Sequence, residues 1–124
     1  MSVPANLYYT QDHEWIAVTD DVATVGITQY AADELGDIVY IELPVAGQTV
    51  AKGEEIVVIE SVKTASDITA PLDGEITAVN EAVATDPAMV NSDAMGAWFF
   101  RMTLANEGDV DDLLDEDAYQ DLIS

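Results

Sequence analysis

Lys63 is the residue whose type and surroundings point most directly to chemistry. It stands midway between two β-rich runs, residues 55–59 and residues 67–70, and Gly53 and Gly74 supply turn signals at their outer ends. Two strands bounded in this way are typical of a β-hairpin with the central residues at its tip. The pattern therefore predicts that Lys63 is exposed at the apex. A lysine there offers a flexible stem and an amine that becomes a neutral amide once it is acylated.

The other residues offer little for independent catalysis. The chain has one histidine and no cysteine, and it contains neither a glycine-rich phosphate loop nor a Gly-x-Ser-x-Gly elbow. Acidic pairs such as Asp20-Asp21 arise from composition, and residues 109–117 lack the glycine and the spacing of a calcium-binding loop. We therefore expect a protein that is not an enzyme and holds no metal, and whose redox chemistry, if any, is supplied by a cofactor.

The charge of the chain limits its partners. It has 25 acidic and 3 basic residues, which give a formal net charge of −22. Such a negative field disfavours binding to nucleic acids and anionic membranes, because affinity for phosphate groups depends on Lys and Arg. Protein partners should therefore present basic surfaces. No run reaches the length of a transmembrane helix, and the N-terminal residues lack the pattern of a signal or transit peptide. We therefore expect a cytoplasmic protein that binds neither nucleic acid nor membrane.

The first half of the chain predicts a hairpin followed by a short helix. Residues 13–18 and 22–27 are β-rich and bracket a polar turn of hairpin size. Thr28 suits the N-cap of a two-turn helix over residues 29–35, and Gly36 suits its C′ position. Further strands are predicted at residues 37–43 and 48–51, ahead of the hairpin that carries Lys63.

The second half predicts two more strands and a final helix. Residues 75–79 alternate between apolar and polar types, and residues 98–104 form a strongly apolar strand. The intervening residues 80–97 predict a long ordered loop with one helical turn. An apolar stripe predicts a C-terminal acidic helix over about residues 106–123, and its members are Val110, Leu113, Leu114, Ala118 and Leu122.

This order of elements predicts a single domain, residues 1–124, of mainly β structure. Many short strands, two helices and no βαβ alternation are typical of a small antiparallel sandwich or flattened barrel with helices attached. A chain of 124 residues buries roughly two-thirds of its unfolded surface, so a real core is expected.

Six motifs together resemble one protein family. The segment Glu60-Ser61-Val62-Lys63-Thr64-Ala65-Ser66-Asp67, continued by residues 70–76, is similar to the lipoylation segment of the glycine cleavage system H-protein family. Five further motifs occur in the family's order and spacing: His13-Glu14-Trp15, Val25-Gly26-Ile27-Thr28, Leu35-Gly36-Asp37, Val90-Asn91-Ser92 and Gly96-Ala97-Trp98. One such motif is weak evidence, whereas six in register are specific. The resemblance implies the lipoyl- and biotinyl-carrier fold.

The resemblance also implies a function, with lipoate joined to Lys63 by an amide bond. In the family, the lipoyl disulfide accepts an aminomethyl group from a PLP-dependent glycine decarboxylase, and an aminomethyltransferase passes it to tetrahydrofolate. A dihydrolipoyl dehydrogenase then reoxidises the dithiol. A lipoate ligase or an octanoyl or lipoyl transferase attaches the cofactor. The implied protein is a monomeric carrier whose cofactor performs the redox chemistry.

The resemblance further gives roles to neighbouring residues. Glu60 and Gly74 match positions that the lipoylating enzyme needs in the family; Glu60 would meet a basic patch on that enzyme, and Gly74 would shape a turn. Glu14 and Asp67 match acidic residues near the cleft that holds the loaded arm, where a carboxylate would stabilise a protonated amine. His13 is expected to be a partly buried, hydrogen-bonded histidine. Core positions are expected for the large aromatic residues Trp15, Trp98, Phe99 and Phe100.

The chain departs from the family pattern at several positions. Thr64 follows the lysine where alanine is commoner, and Ala97 replaces the second glycine before the late tryptophan. Tyr30 and Glu34 stand where family members often have histidines, so a histidine-lined cleft is not expected. The near absence of basic residues suggests a protein that gains stability with salt.

Four alternatives remain open on the sequence. A biotinyl carrier usually has methionine on both sides of its lysine, where this chain has Val62 and Thr64, and the lipoyl domains of 2-oxoacid dehydrogenases usually read Asp-Lys-Ala and are shorter. An acidic interaction module would make Lys63→Arg silent. A lipoyl-relay protein of the same family, which donates lipoate to other complexes, shares every motif above.

Overall fold

A computed structural model describes residues 6–123, which form nine strands and five helical segments. The strands are β1 (Asn6–Tyr9), β2 (Glu14–Thr19), β3 (Val22–Ile27), β4 (Ile38–Glu42), β5 (Thr49–Val50), β6 (Glu55–Ser61), β7 (Ala65–Thr69), β8 (Gly74–Val79) and β9 (Phe100–Leu104). The α-helices are α1 (Gln29–Leu35), α2 (Glu81–Thr85), α3 (Ala88–Ser92) and α4 (Glu116–Ile123), and a 3₁₀ helix spans Glu107–Asp112. No helix in this part of the chain is long and apolar enough to cross a bilayer.

The strands form two antiparallel sheets that are not closed into a barrel. Six strands pair in the order β1-β2-β3-β9-β8-β5, and three pair in the order β4-β6-β7. The fold class predicted from the sequence is confirmed, in its sandwich form. The first hairpin is also confirmed, with Glu14 opposite Ile27 and Thr19 opposite Val22. Strand β1 was not expected, because the sequence stretch before residue 13 is too short to show alternation.

The core lies where the apolar faces of the two sheets meet. Ile16, Val25, Ile76 and Phe100 of the larger sheet are fully buried together with Ile59 of the smaller one. Burying a side chain of this size contributes roughly 1.5–3 kcal/mol, so the inward residues of the strands supply most of the driving force.

Three of the four tryptophan and phenylalanine residues are buried. Trp15, Phe99 and Phe100 are core residues, as predicted. Trp98 is only half-buried, so the expectation of a core position was wrong. Its ring carries the guanidinium of Arg101 at 4.2 Å, a cation–π contact that leaves one face near solvent.

Helix α1 forms where the capping residues predict it. The Thr28 hydroxyl accepts a hydrogen bond from the Ala31 backbone N–H at 3.2 Å, which satisfies one of the unpaired donors of the first turn. Gly36 ends the helix at φ 80°, a left-handed conformation in which glycine carries no steric penalty.

Residues 80–97 are more helical than predicted. The expected long loop contains two short helices, α2 and α3, instead of a single turn. Asn80 caps α2, since its side chain accepts from the Ala82 N–H, and Asp86 interrupts the helical path before Pro87. Helices of five residues show too little periodicity to be recognised in the sequence, and their stability comes from packing of Val83 and Val90 in the core.

The single C-terminal helix predicted over residues 106–123 is wrong, because the chain is extended at Leu113 between the 3₁₀ helix and α4. Leu114 exchanges two backbone hydrogen bonds of 2.8 Å with Tyr9, which ties the segment to the end of β1. The side chain of Asp115 then accepts from the Ala118 N–H at 2.8 Å and starts α4. Pairing with an available strand end therefore outweighs the helical pattern of the apolar residues.

Candidate functional site

Lys63 lies at the apex of the hairpin formed by β6 and β7, as the sequence predicted. The two strands pair from Glu55 opposite Thr69 to Glu60 opposite Ala65, and Lys63 is exposed in the connecting turn. The turn is therefore the outermost part of a regular two-stranded scaffold, which keeps the amine accessible to another protein.

Ser61 organises this turn. Its hydroxyl oxygen accepts hydrogen bonds from the backbone N–H groups of Lys63 at 3.2 Å and Thr64 at 3.1 Å. Its own N–H donates to the Thr64 carbonyl at 2.8 Å. A serine that mimics a backbone turn in this way fixes the direction in which the next residues leave the hairpin. This role of Ser61 was not predicted from the sequence, although serine is one of the residues that favour such turns.

The side chain of Lys63 rests against the end of α1. A Cβ atom at Gly36 would lie 2.7 Å from Lys63 Cε, so the lysine stem passes directly over the glycine. The Val62 N–H also donates to the Asp37 carbonyl at 3.0 Å, which holds the turn against the segment after α1. The motif Leu35-Gly36-Asp37 is therefore the platform on which Lys63 lies.

Asn91 of α3 fixes that platform from the other side. Its amide nitrogen donates to the Gly36 carbonyl at 2.8 Å, and its amide oxygen accepts from the Ile38 N–H at 2.9 Å. Gln29 in turn donates to the Asn91 carbonyl at 3.0 Å. Asn91 belongs to the motif Val90-Asn91-Ser92, for which the sequence alone indicated no separate role. An asparagine whose amide oxygen and nitrogen both bond to backbone groups is a positioning residue.

A cleft of about 440 Å³, here called the hairpin cleft, runs beside the hairpin between β7, α1 and the turn from β1 to β2. Its polar walls are Gln11, Asp12, His13, Glu34, Ser66, Asp67 and Thr69, and its apolar walls are Ile27, Ala31, Leu35 and Ile68. It thus combines an apolar floor with several carboxylates and lies on the same hairpin as Lys63. Asp67 is an exposed wall of this cleft.

Glu14 lies in a neighbouring cleft of about 340 Å³, here called the β1 cleft, which shares Gln11, Asp12 and Thr69 with the hairpin cleft. The resemblance placed Glu14 and Asp67 near one cleft, whereas in the structure they line two adjacent clefts. Glu14 is only 1% exposed, whereas Asp67 is on the surface.

Burial raises the pKa of Glu14 from an ordinary 4.5 to about 8. The Thr10 hydroxyl donates to Glu14 Oε1 at 3.2 Å and lowers the pKa in part. The charge of Asp12 raises the pKa further, and a backbone hydrogen bond from Thr69 lowers it. Glu14 Oε2 has no partner of normal hydrogen-bond geometry among the described residues. The side chain is therefore a largely neutral acid near pH 7 with an unused polar atom.

Asp67 has an acidic neighbour across the hairpin. A hydrogen bond between the carboxyl groups of Glu55 and Asp67 raises the pKa of Glu55, and their charge repulsion adds to the shift. Both groups are exposed, so solvent screens the interaction.

The comparisons with known proteins agree with this geometry. The sequence model of the glycine cleavage H-protein family matches residues 7–124. The chain belongs to this family. A glycine cleavage system H protein from Thiobacillus denitrificans is 55% identical over 124 residues, which cover 99% of this chain and 96% of that protein. The crystal structure of a glycine cleavage system H protein from Mycobacterium marinum superposes with a TM-score of 0.86 at 38% identity, over 96% of this chain and 97% of that one.

Membership of the H-protein family makes the chain a lipoyl carrier of the glycine cleavage system, as the six motifs predicted. It also rules against the biotinyl-carrier and 2-oxoacid dehydrogenase alternatives, whose domains belong to other families.

The two residues that the resemblance linked to lipoylation occupy different environments in this H-family chain. Glu60 is exposed on β6, opposite Tyr40 of β4 and close to the turn of Lys63. Gly74 is buried in β8 of the other sheet, opposite Val50 and Leu104. A Cβ atom there would collide with the carbonyl oxygen of Thr103 and lie 2.8 Å from Met102 Cε. Gly74 is thus required by strand packing.

Proposed function

We propose that Lys63 is the lipoyl attachment site of this H-family carrier. The observation that carries the proposal is its position: an exposed lysine on a turn fixed by Ser61, with its stem over Gly36. The hairpin cleft beside it has the apolar floor and polar walls that a short aliphatic arm with a polar end would require. When bound, lipoate supplies a disulfide that can accept and pass on an aminomethyl group.

The residues around the two clefts would receive the loaded arm. The carboxylate of Asp67 would attract the protonated amine of the adduct at the outer wall of the hairpin cleft. Glu14, with its unpartnered Oε2, would accept a hydrogen bond from the same group when it reaches the β1 cleft. Burial in both places would exclude water and so protect a labile adduct from hydrolysis.

Glu60 and Gly74 have separate roles in attachment. Glu60 is the carboxylate that a basic patch on the lipoate ligase, or on an octanoyl or lipoyl transferase, would meet next to Lys63. Gly74 supports attachment indirectly, because it allows β8 and β9 to pair closely.

The partners implied for the loaded carrier are a PLP-dependent glycine decarboxylase, an aminomethyltransferase and a dihydrolipoyl dehydrogenase. The chain itself would be non-catalytic, monomeric and cytoplasmic, and its charge of −22 favours partners with basic docking surfaces. Gel filtration and cell fractionation check the last two properties.

Intact mass after co-expression with a lipoate ligase tests the attachment site. We expect the wild-type chain to gain one lipoyl group and Lys63→Arg to gain none. Lys52→Arg is the matched control, because Lys52 is also exposed beside a turn and its backbone N–H is also hydrogen-bonded to a side-chain oxygen, that of Asp73 at 2.7 Å. An unmodified wild type, or modification that persists in Lys63→Arg, would overturn the proposal.

A glycine–bicarbonate exchange assay with the decarboxylase then tests the role of the modified protein. Exchange that requires the lipoylated wild type supports glycine cleavage. A fully lipoylated protein that gives no exchange, but donates its lipoyl group to another carrier domain, would favour the relay alternative.

A further inference from the structure

Tyr119 of α4 connects the C-terminal helix to the wall of the hairpin cleft. It is 2% exposed, its ring stacks on Tyr9 at 4.6 Å, and its hydroxyl oxygen lies 2.9 Å from His13 Nδ1 and 2.7 Å from Thr28 Oγ1. Burial raises the pKa of Tyr119 above its ordinary value of 10, so the phenol keeps its proton. A single hydroxyl therefore joins three elements of the fold.

The direction of these hydrogen bonds follows from Thr28. Its oxygen already accepts from the Ala31 N–H as the N-cap of α1, and the residue is only 4% exposed. Within residues 6–123 the Thr28 hydroxyl has no acceptor except Tyr119. If Tyr119 donated to Thr28, the Thr28 proton would be buried and unpaired, at a cost of roughly 1–3 kcal/mol. Thr28 therefore donates to Tyr119, and Tyr119 donates to His13 Nδ1.

His13 is held in a conformation that needs outside support. Its φ of 67° lies in the left-handed region, which is uncommon for a residue with a side chain. The Thr28 N–H donates to the His13 carbonyl at 2.9 Å, and the imidazole packs against Tyr30 at 4.8 Å and edge-on against Tyr119 at 5.7 Å. The ring is thus fixed by contacts on several sides while it lines the hairpin cleft.

We propose that Tyr119 is a positioning residue that keeps His13 in the Nε2–H tautomer, so that the hairpin cleft receives an N–H donor. A carboxylate can only accept hydrogen bonds, and three wall residues of the cleft carry carboxyl groups, namely Asp12, Glu34 and Asp67. They suit a protonated amine but not an oxygen or sulfur acceptor. A fixed Nε2–H would supply the complementary donor for the amide carbonyl or a sulfur atom of a bound arm.

The tautomer can be measured directly, because His13 is the only histidine of the chain. In a tag-free protein labelled with ¹⁵N-histidine, the protonated and unprotonated ring nitrogens resonate far apart. In spectra recorded at alkaline pH, we expect Nδ1 to appear as a pure acceptor and Nε2 as a pure donor. Tyr119→Phe should move both shifts towards the tautomer mixture of a free imidazole.

Tyr9→Phe is the matched control, because it removes a hydroxyl from the other ring of the same stack without touching His13. It should leave both nitrogen shifts unchanged. A wild-type Nδ1 that carries the proton, or shifts that are identical in wild type and Tyr119→Phe, would overturn the inference. This experiment uses the unmodified protein, so its outcome does not depend on the proposed function.

The consequence for the arm rests on the proposed function and needs the lipoylated, aminomethyl-loaded protein. Loss of one hydrogen bond to the arm should increase hydrolysis of the adduct, in which water releases ammonia and formaldehyde and leaves the free dithiol, by about two- to tenfold in Tyr119→Phe, but not in Tyr9→Phe. Equal release in the two variants would contradict the role of His13 in the cleft even if the tautomer is as expected. Failure of the wild type to accept the aminomethyl group would instead refute the proposed function.

Discussion

At the scale of single residues, the environment of Glu14 has a consequence for stability. Its pKa of about 8 in the folded protein exceeds the ordinary 4.5 of the unfolded chain. Below about pH 4.5 the group is protonated in both states. As the pH rises towards 8, the unfolded state releases the proton while the folded state retains it, so the free energy of unfolding falls.

Glu14→Gln should remove this dependence, since an amide of the same shape cannot ionise. We expect the variant to become more stable relative to wild type as the pH increases from about 5 to 9. The gain should be a few kcal/mol, with a ceiling of about 5 kcal/mol because each pKa unit corresponds to about 1.4 kcal/mol. Urea unfolding at several pH values measures it. Glu75→Gln, on an exposed part of β8, is the control, and equal pH profiles for the two variants would show that Glu14 ionises freely.

At the scale of the elements, Gly74 and Glu60 are expected to affect lipoylation for different reasons: Gly74 through strand packing, and Glu60 through recognition by the lipoylating enzyme. Gly74→Ala must push β8 away from the Thr103 carbonyl, and we expect it to lower the free energy of unfolding by about 1–3 kcal/mol. Gly108→Ala is the matched control, because a Cβ there would be no closer than 3.4 Å to any neighbour.

Glu60→Gln should change stability by less than about 0.5 kcal/mol but slow lipoylation.

Thermal unfolding and the lipoylation rate, measured on the same samples, distinguish the two roles. Lipoylation of Gly74→Ala should follow its folded fraction, whereas that of Glu60→Gln should fall while the protein stays folded. A Gly74→Ala protein of wild-type stability that resists lipoylation would mean that the enzyme contacts the glycine itself.

Elements with strong local signals were predictable from the sequence, and elements that depend on distant partners were not. The N-cap Thr28 and the C′ residue Gly36 predicted α1 with its observed ends, since both act within one helical turn. The break at Leu113 arises from pairing with Tyr9, far away in the chain, and no local pattern indicates it. The candidate site follows the same rule. Lys63 could be identified from the sequence, whereas the contacts of Asn91 and Tyr119 join distant segments and are visible only in the folded structure.

At the scale of the whole molecule, the charge of −22 should make stability depend on salt. Exposed carboxylates repel one another in the compact state, and Asp117 and Asp121 are like charges four residues apart on α4. Salt shortens the Debye length from about 30 Å at 0.01 M to about 3 Å at 1 M, which removes most of this repulsion.

We therefore expect the melting midpoint to rise between dilute buffer and about 1 M potassium chloride. A variant that carries lysine at the exposed positions Glu42, Glu75 and Asp86 tests the cause. Each substitution adds two charges, so three change −22 to −16. This variant should melt higher than wild type in dilute buffer and gain less from salt, because less repulsion remains to be screened. A wild-type midpoint that is unchanged or lower in molar salt would contradict the electrostatic explanation, as would an equal salt response of the two proteins.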